Sequence, residues 1–328
     1  MRVFLIRMIW TLLTLLAGLV LLWKGADFLA DGAVALAERM GVSQLIIGLT
    51  VVAMGTSAPE VAAGIVAALG HRGDIVLGDV YGANIADLSL IGGIVALIRP
   101  LGVRAPTLKR EIPAMFLALF VLGLVLRGAK LSRVDGAILM AVFMLFLLYT
   151  IWSARGSAAR EPITELNVVI DRPRTARWNV VLVLLGIAGL AGGAQLAVHS
   201  AERIGHALGL SDAVIGSTIL AIGTTLPELM TATVAAVKGH QDISVGNLIG
   251  SVIFNTLVVT GIASLARPLV VSARFAGGPD YWIMLGIGLG FTAAALLGRQ
   301  TISRLGGVAL LTAYGSYVLY LLHSTGVI

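Results

Sequence analysis

The 328-residue sequence contains no cysteine, which excludes a disulfide framework and any thiolate metal centre. Charge is scarce too: only 12% of residues are Asp, Glu, Lys or Arg, about half the share of an ordinary soluble domain. With 58% hydrophobic residues and a mean hydropathy of +0.98, a water-soluble enzyme is excluded. The apolar residues gather in about ten runs near 8–38, 43–69, 75–98, 110–127, 133–153, 178–207, 211–237, 243–266, 281–298 and 303–323. Runs of that length read as membrane spans, so the chain is expected to be an all-α polytopic membrane protein. The net charge of +6 would suggest a nucleic-acid partner in a soluble chain. Here the basic residues sit between apolar spans, so they are topology signals, and the bilayer is the expected surroundings. Forty glycines point to close helix contacts and broken helices rather than to linkers.

The one strongly polar stretch, 154–177, carries Arg155, Arg160, Glu161, Glu165, Asp171, Arg172, Arg174 and Arg177. It is too short for a folded domain and divides a first repeat, 1–153, from a second, 178–328. Arg2 and Arg7 before an apolar run imitate a signal peptide, but the run passes without a convincing cleavage site into residues that recur in the second half. Shifting the chain by 168 positions superposes 48–103 on 216–271 without a gap, and about 22 of the 56 pairs are identical. With about five spans in each half, an odd number, the second copy enters the membrane from the opposite side, which predicts inverted repeats.

Basic residues number about nine in the loops on the side of the N-terminus and about thirteen on the other side. The second group is led by Arg99, Arg104, Lys109, Arg110 and the linker. The expectation is a cytoplasmic linker, external termini and a multi-pass location in a cell membrane, the inner membrane of a prokaryote.

Two related motifs interrupt the spans: Gly55-Thr56-Ser57-Ala58-Pro59-Glu60 and Gly223-Thr224-Thr225-Leu226-Pro227-Glu228. Proline cannot donate to the carbonyl four residues back, so Gly55 and Gly223 carbonyls are freed and both helices kink. A carboxylate beside each break, at membrane depth, is costly unless it faces a cavity or a cation. The following spans carry Gly78-Asp79-Val80-Tyr81-Gly82-Ala83-Asn84-Ile85-Ala86-Asp87 and Gly246-Asn247-Leu248-Ile249-Gly250-Ser251-Val252-Ile253-Phe254-Asn255. Glu60 and Asp87 lie about 11–14 residues from the turn at Gly70–Gly73, or roughly 17–21 Å of helix, enough to reach the midplane. Glu60, Asp87, Glu228 and Asn255 are therefore expected to converge. Such hard oxygen ligands, without His or Cys, suit calcium, sodium or magnesium rather than zinc or copper.

These motifs resemble the alpha repeats of the sodium/calcium exchanger family. The resemblance extends over nearly the whole chain and includes Gly25-Ala26-Asp27. It implies ten helices in two inverted repeats and a secondary antiporter that exchanges calcium for sodium by alternating access. It implies a calcium site at Glu60 and Glu228 with backbone oxygens of Thr56 and Thr224, and Asp87 and Asn255 on the central axis. Flanking sodium sites would use Ser57, Thr225, Ser251 and the carbonyls of Ala53 and Ala221. Calcium and sodium are then the transported substrates, with no cofactor and no protein partner implied. A calcium/proton exchanger of the same fold, using Glu60, Glu228 or Asp87 as proton carriers, is the alternative. Two positions depart from the family pattern: Ala83 lacks the hydroxyl that Ser251 keeps, and the axial acid is Asp87 in the first repeat, opposite Asn255. An intramembrane enzyme lacks a nucleophile and base near the glutamates, and the inverted Pro-broken helices fit a transporter better than a passive channel.

Other polar residues are read more plainly. Lys24, Asp27 and Asp31 share a helical face and are expected to pair locally. His199 and His206, without a third ligand, read as an interfacial face. Asp79 fits a packing hydrogen bond and a cation vestibule equally.

Overall fold

The computed structural model describes residues 2–157, 175–208 and 223–324. The first repeat comprises α1 Arg2–Met40, α2 Gln44–Thr56, α3 Ala58–Leu69, α4 Gly73–Ile98, α5 Thr107–Gly128 and α6 Arg133–Ser157. The second comprises α7 Ala176–Ala207, α8 Leu226–Lys238, α9 Gln241–Ala266, α10 Pro279–Leu297 and α11 Arg304–Ser324. Among the described residues eight helices are long and apolar enough to cross a membrane, and the bent pair α2–α3 makes a ninth span. The chain is an all-α polytopic membrane protein. Helix α6 runs on to Ser157 and α7 begins at Ala176, so both ends of the polar stretch are helical; residues 158–174 lie outside the described residues.

Reciprocal contacts between the halves show the inverted relation. Strand β1 (Leu101–Gly102) pairs antiparallel with β4 (Thr301–Ile302), and β2 (Lys130–Leu131) with β3 (Leu269–Val270). Asp242 holds Arg104 at 3.1 Å, while Asp74 accepts the backbone N–H of Ser272 at 2.6 Å. Shifting by 168 turns each contact of that second pair into the other. A twofold axis in the membrane plane requires such exchange, because whatever one repeat gives its partner it receives back. Following the chain between the strand pairs puts β1, β4 and the two ends flanking the linker on one face. The opposite face holds β2, β3, the start of α1 and the end of α11.

The interior is built on α4 and α9, for which 72% and 89% of the most apolar window is buried, against 22% for α6 and 11% for α11. The former two carry Gly, Ala, Asn and Ser beside aliphatics, which lets neighbouring backbones approach; the latter present Leu and aromatic rings to lipid. Helices α1 and α7 pack along each other in a second hydrophobic cluster, separate from the main core, with Leu22, Leu29, Leu190 and Ala197 inside it. Gly25 and Gly186 permit that approach: a Cβ at Gly25 would lie 2.7 Å from the Leu190 nitrogen, and one at Gly186 2.6 Å from the Leu29 nitrogen.

The local pairing expected for Lys24 is corrected by the fold. Asp27 and Asp31 both bind Lys238 at the C-terminal end of α8, at 2.5 and 2.6 Å, while Lys24 stays exposed. Helical spacing allowed the local pair, but the packing of α1 on α8 brings in a cation that neither carboxylate could meet along its own helix. His199 is exposed and lies 3.5 Å from Glu202 one turn on, a surface arrangement as expected.

Candidate cation site

The chain bends by 46° between α2 and α3. Ser57 at this break has φ −86° and ψ 13°, and Thr225 at the matching break has φ −87° and ψ 0°. Pro59 and Pro227 follow in the first turn of α3 and α8, where a missing N–H costs nothing. Glu60 and Glu228 stand in the same turns, at the positive ends of the helix dipoles. Both side chains are only 1% exposed.

The two motifs meet across the repeats. Ser57 donates its hydroxyl to Glu228 Oε1 at 2.9 Å. Thr56 Oγ1 lies 3.2 Å from Asn247 Oδ1 and 3.3 Å from the Ala53 carbonyl, and Asn247 donates Nδ2 to the Glu228 carbonyl at 3.4 Å. The Ala53 carbonyl also accepts the Ser57 N–H at 3.0 Å, so it could turn to a cation only by releasing one of these donors. Both carboxylate oxygens of Glu60, both of Asp87 and Oε2 of Glu228 are buried with no hydrogen-bond partner among the described residues; so are Ser251 Oγ and Asn255 Oδ1. Glu60 lies close enough to Glu228, Asp79 and Asp87 for their charges to repel, as does Asp87 to Glu228. Buried carboxylates that find neither donors nor counter-charge among the described residues are stable only when a proton or a metal cation neutralises them.

Among the described residues no three Asp, Glu, His or Cys side chains form a metal cage. Hydroxyl, amide and carbonyl oxygens stand beside the carboxylates, at Thr56, Ser57 and Asn247 and at the Ala53 and Glu228 carbonyls. Thr224 and Thr225 lie at the α8 break, Thr224 half-buried and Thr225 buried. Ala221 lies outside the described residues.

Two features escaped the sequence reading. Asp87 and Asn255 each begin or adjoin a π-helical turn, Ala86–Ile91 in α4 and Asn255–Val259 in α9. The wide turn loosens the backbone ladder beside the axial side chain. Asn247 carries no role in the sequence motifs, yet it joins both breaks through Thr56 and the Glu228 carbonyl. The signal was its spacing: Asn247, Ser251 and Asn255 recur every four residues, as do Asp79, Ala83 and Asp87, which aligns each set on one helix face.

The model of the sodium/calcium exchanger protein family matches residues 10–152 and 178–323, leaving out the linker. The chain belongs to this family. It is 39% identical to CaxA of Alkalimonas amylolytica over 94% of this chain and 98% of that protein. It is 30% identical to the sodium/calcium exchanger MaX1 of Methanosarcina acetivorans, over 79% of this chain and 84% of the other. Among solved structures, the sodium-calcium exchanger NCX_Mj soaked without sodium and calcium superposes with a TM-score of 0.81 at 28% identity, covering 95% of this chain and 99% of that one. The fold is thus that of a family antiporter, and the broken helices with their glutamates are parts of a transporter.

Proposed function

We propose that this exchanger carries calcium against sodium by alternating access, with the cation held between α3, α4, α8 and α9. The observation that carries the reading is the pair of buried glutamates, one from each inverted repeat, joined through Ser57 and left with unpartnered oxygens. Glu60 and Glu228 are the principal calcium ligands, supported by the Thr56 and Thr224 backbone oxygens, with Asp87 and Asn255 on the axis. Ser57, Thr225, Ser251 and the Ala53 and Ala221 carbonyls are the sodium ligands. Oxygen donors of this kind suit hard cations.

Motion is assigned to α1 and α7. They pack on each other in an apolar cluster distinct from the main one, and its Ile47 and Val52 of α2, Val234 and Ala235 of α8 and Ile243 of α9 form the surface over which the pair can slide. The polar linker faces the cytoplasm, and the termini face outward.

Calcium uptake into proteoliposomes, with sodium, potassium or proton gradients imposed one at a time, tests the reading. Uptake driven by an outward sodium gradient alone is expected. Uptake driven only by protons would replace sodium as the counter-ion. Ala83, which removes a hydroxyl from one flank, is the specific feature that favours examining that second reading.

A further inference from the structure

Resting on that reading of the central site, we infer that Asp79 is a further oxygen ligand for the transported cation, forming a subsite between Glu60 and the face that holds the two termini. The repeats place Asp79 where Asn247 stands in the other half, but the two residues live differently. Asn247 is sealed, at 0% exposure, and both ends of its carboxamide are used: the oxygen faces the Thr56 hydroxyl, and the nitrogen donates to the Glu228 carbonyl. Ionised Asp79 has no donor, so the reciprocal bond to the Glu60 carbonyl cannot form, and two acceptors would oppose each other there. Its Oδ2 is buried without a partner among the described residues, although the residue as a whole is partly open. Glu60 and Glu228 both feel its charge.

The surrounding stripe supports a ligand rather than a packing role. On α9 the stripe Asn247, Ser251, Asn255 is neutral; on α4 the stripe Asp79, Ala83, Asp87 loses a hydroxyl and holds two carboxylates. Glu60 and Asp87 are fully buried, with all four carboxylate oxygens unpartnered among the described residues, and Glu60 lies near enough to both Asp79 and Asp87 for their charges to interact. Asp79 is eight residues, about 12 Å along the helix, nearer than Asp87 to the α4 start. That start is held at the termini face, where Asp74 bonds Ser272. A cation entering from this face therefore meets Asp79 before the midplane, and its charge meets an oxygen that no donor among the described residues satisfies.

The test is calcium binding to the purified full chain in lipid nanodiscs, with sodium as competitor, for wild type, Asp79→Asn, Asp79→Glu and Glu60→Gln. Asp79→Asn installs the carboxamide that the fold already accommodates at Asn247, so the protein is expected to fold with unchanged or raised thermal stability. Calcium binding should weaken at least about tenfold, since even outer-shell changes around metals cost that much, while Asp79→Glu should bind more tightly than Asp79→Asn. Wild-type calcium affinity and sodium competition in Asp79→Asn, with Glu60→Gln impaired, would overturn this inference alone. Wild-type binding in both would overturn the central site as well. A misfolded Asp79→Asn would mark a structural role and also overturn the inference.

Discussion

Replacing Glu60 by Gln keeps the shape of the side chain, removes its charge and puts an N–H donor where a carboxylate oxygen stood, and the structure assigns opposite signs to the two consequences. In the ion-free protein, both carboxylate oxygens of Glu60 are buried at 1% exposure with no donor among the described residues, and three other acids lie near enough to repel. A buried acceptor left unsatisfied costs about 1–3 kcal/mol, and more when charged. Glu60→Gln is therefore expected to stabilise the ion-free protein by about 1–3 kcal/mol. Calcium should reverse the order. Truncating one member of a buried charge pair costs about 2–5 kcal/mol, which is about 30-fold to several thousandfold in Kd. Wild type held at a calcium concentration of about 100 times Kd gains about 2.7 kcal/mol of stability, and the variant at that same concentration should gain no more than about 0.9 kcal/mol. Thermal unfolding of the purified protein with and without calcium reads both effects in one experiment. A variant less stable than wild type without calcium, yet stabilised equally by it, would refute the assignment: it would mean that the carboxylate is held by protein contacts and sees no cation.

Asp87→Asn should weaken calcium transport less than either glutamate change, and adding Asn255→Asp should restore it by returning the charge across the pseudo-twofold axis; a folded but inactive double variant would show that the position of the acid matters. Lys238→Met should cost no more than about 1 kcal/mol, because Lys238, Asp27 and Asp31 are all partly exposed, but should speed amide hydrogen exchange across residues 27–40; unchanged exchange would mean the pair does not tether α1. Gly25→Ala sets a Cβ against the α7 backbone and should cost about 1–3 kcal/mol by overpacking; unchanged thermal unfolding would show that α1 and α7 do not approach that closely. In this cysteine-free chain, a cysteine at Gly156 should be labelled only from the cytoplasm and one at Ser324 only from outside; labelling of both from one side would change the span count by one.

The spans, the duplication and its inversion were legible from residue order alone. A bilayer dictates about 20 apolar residues per crossing, and an odd number of crossings in each copy dictates opposite entry, so no contact had to be known. Glu60 and Glu228 stood out as candidates from residue order too, since a carboxylate after a proline break at mid-span has few structural uses. What the sequence could not carry was the partner of each polar atom. Lys238 lies more than 200 residues from Asp27 and Asp31, and Ser57 meets Glu228 only because two breaks face each other across an axis. The π-turns at Asp87 and Asn255 leave no distinct residue pattern, because the same side chains fit an α-helix; packing of α4 and α9 selects them. The sequence alone likewise left Asp79 divided between two roles. Only the folded surroundings decide between them, because a carboxylate and a carboxamide differ by a donor, and the worth of that donor depends on which atom the fold places opposite it.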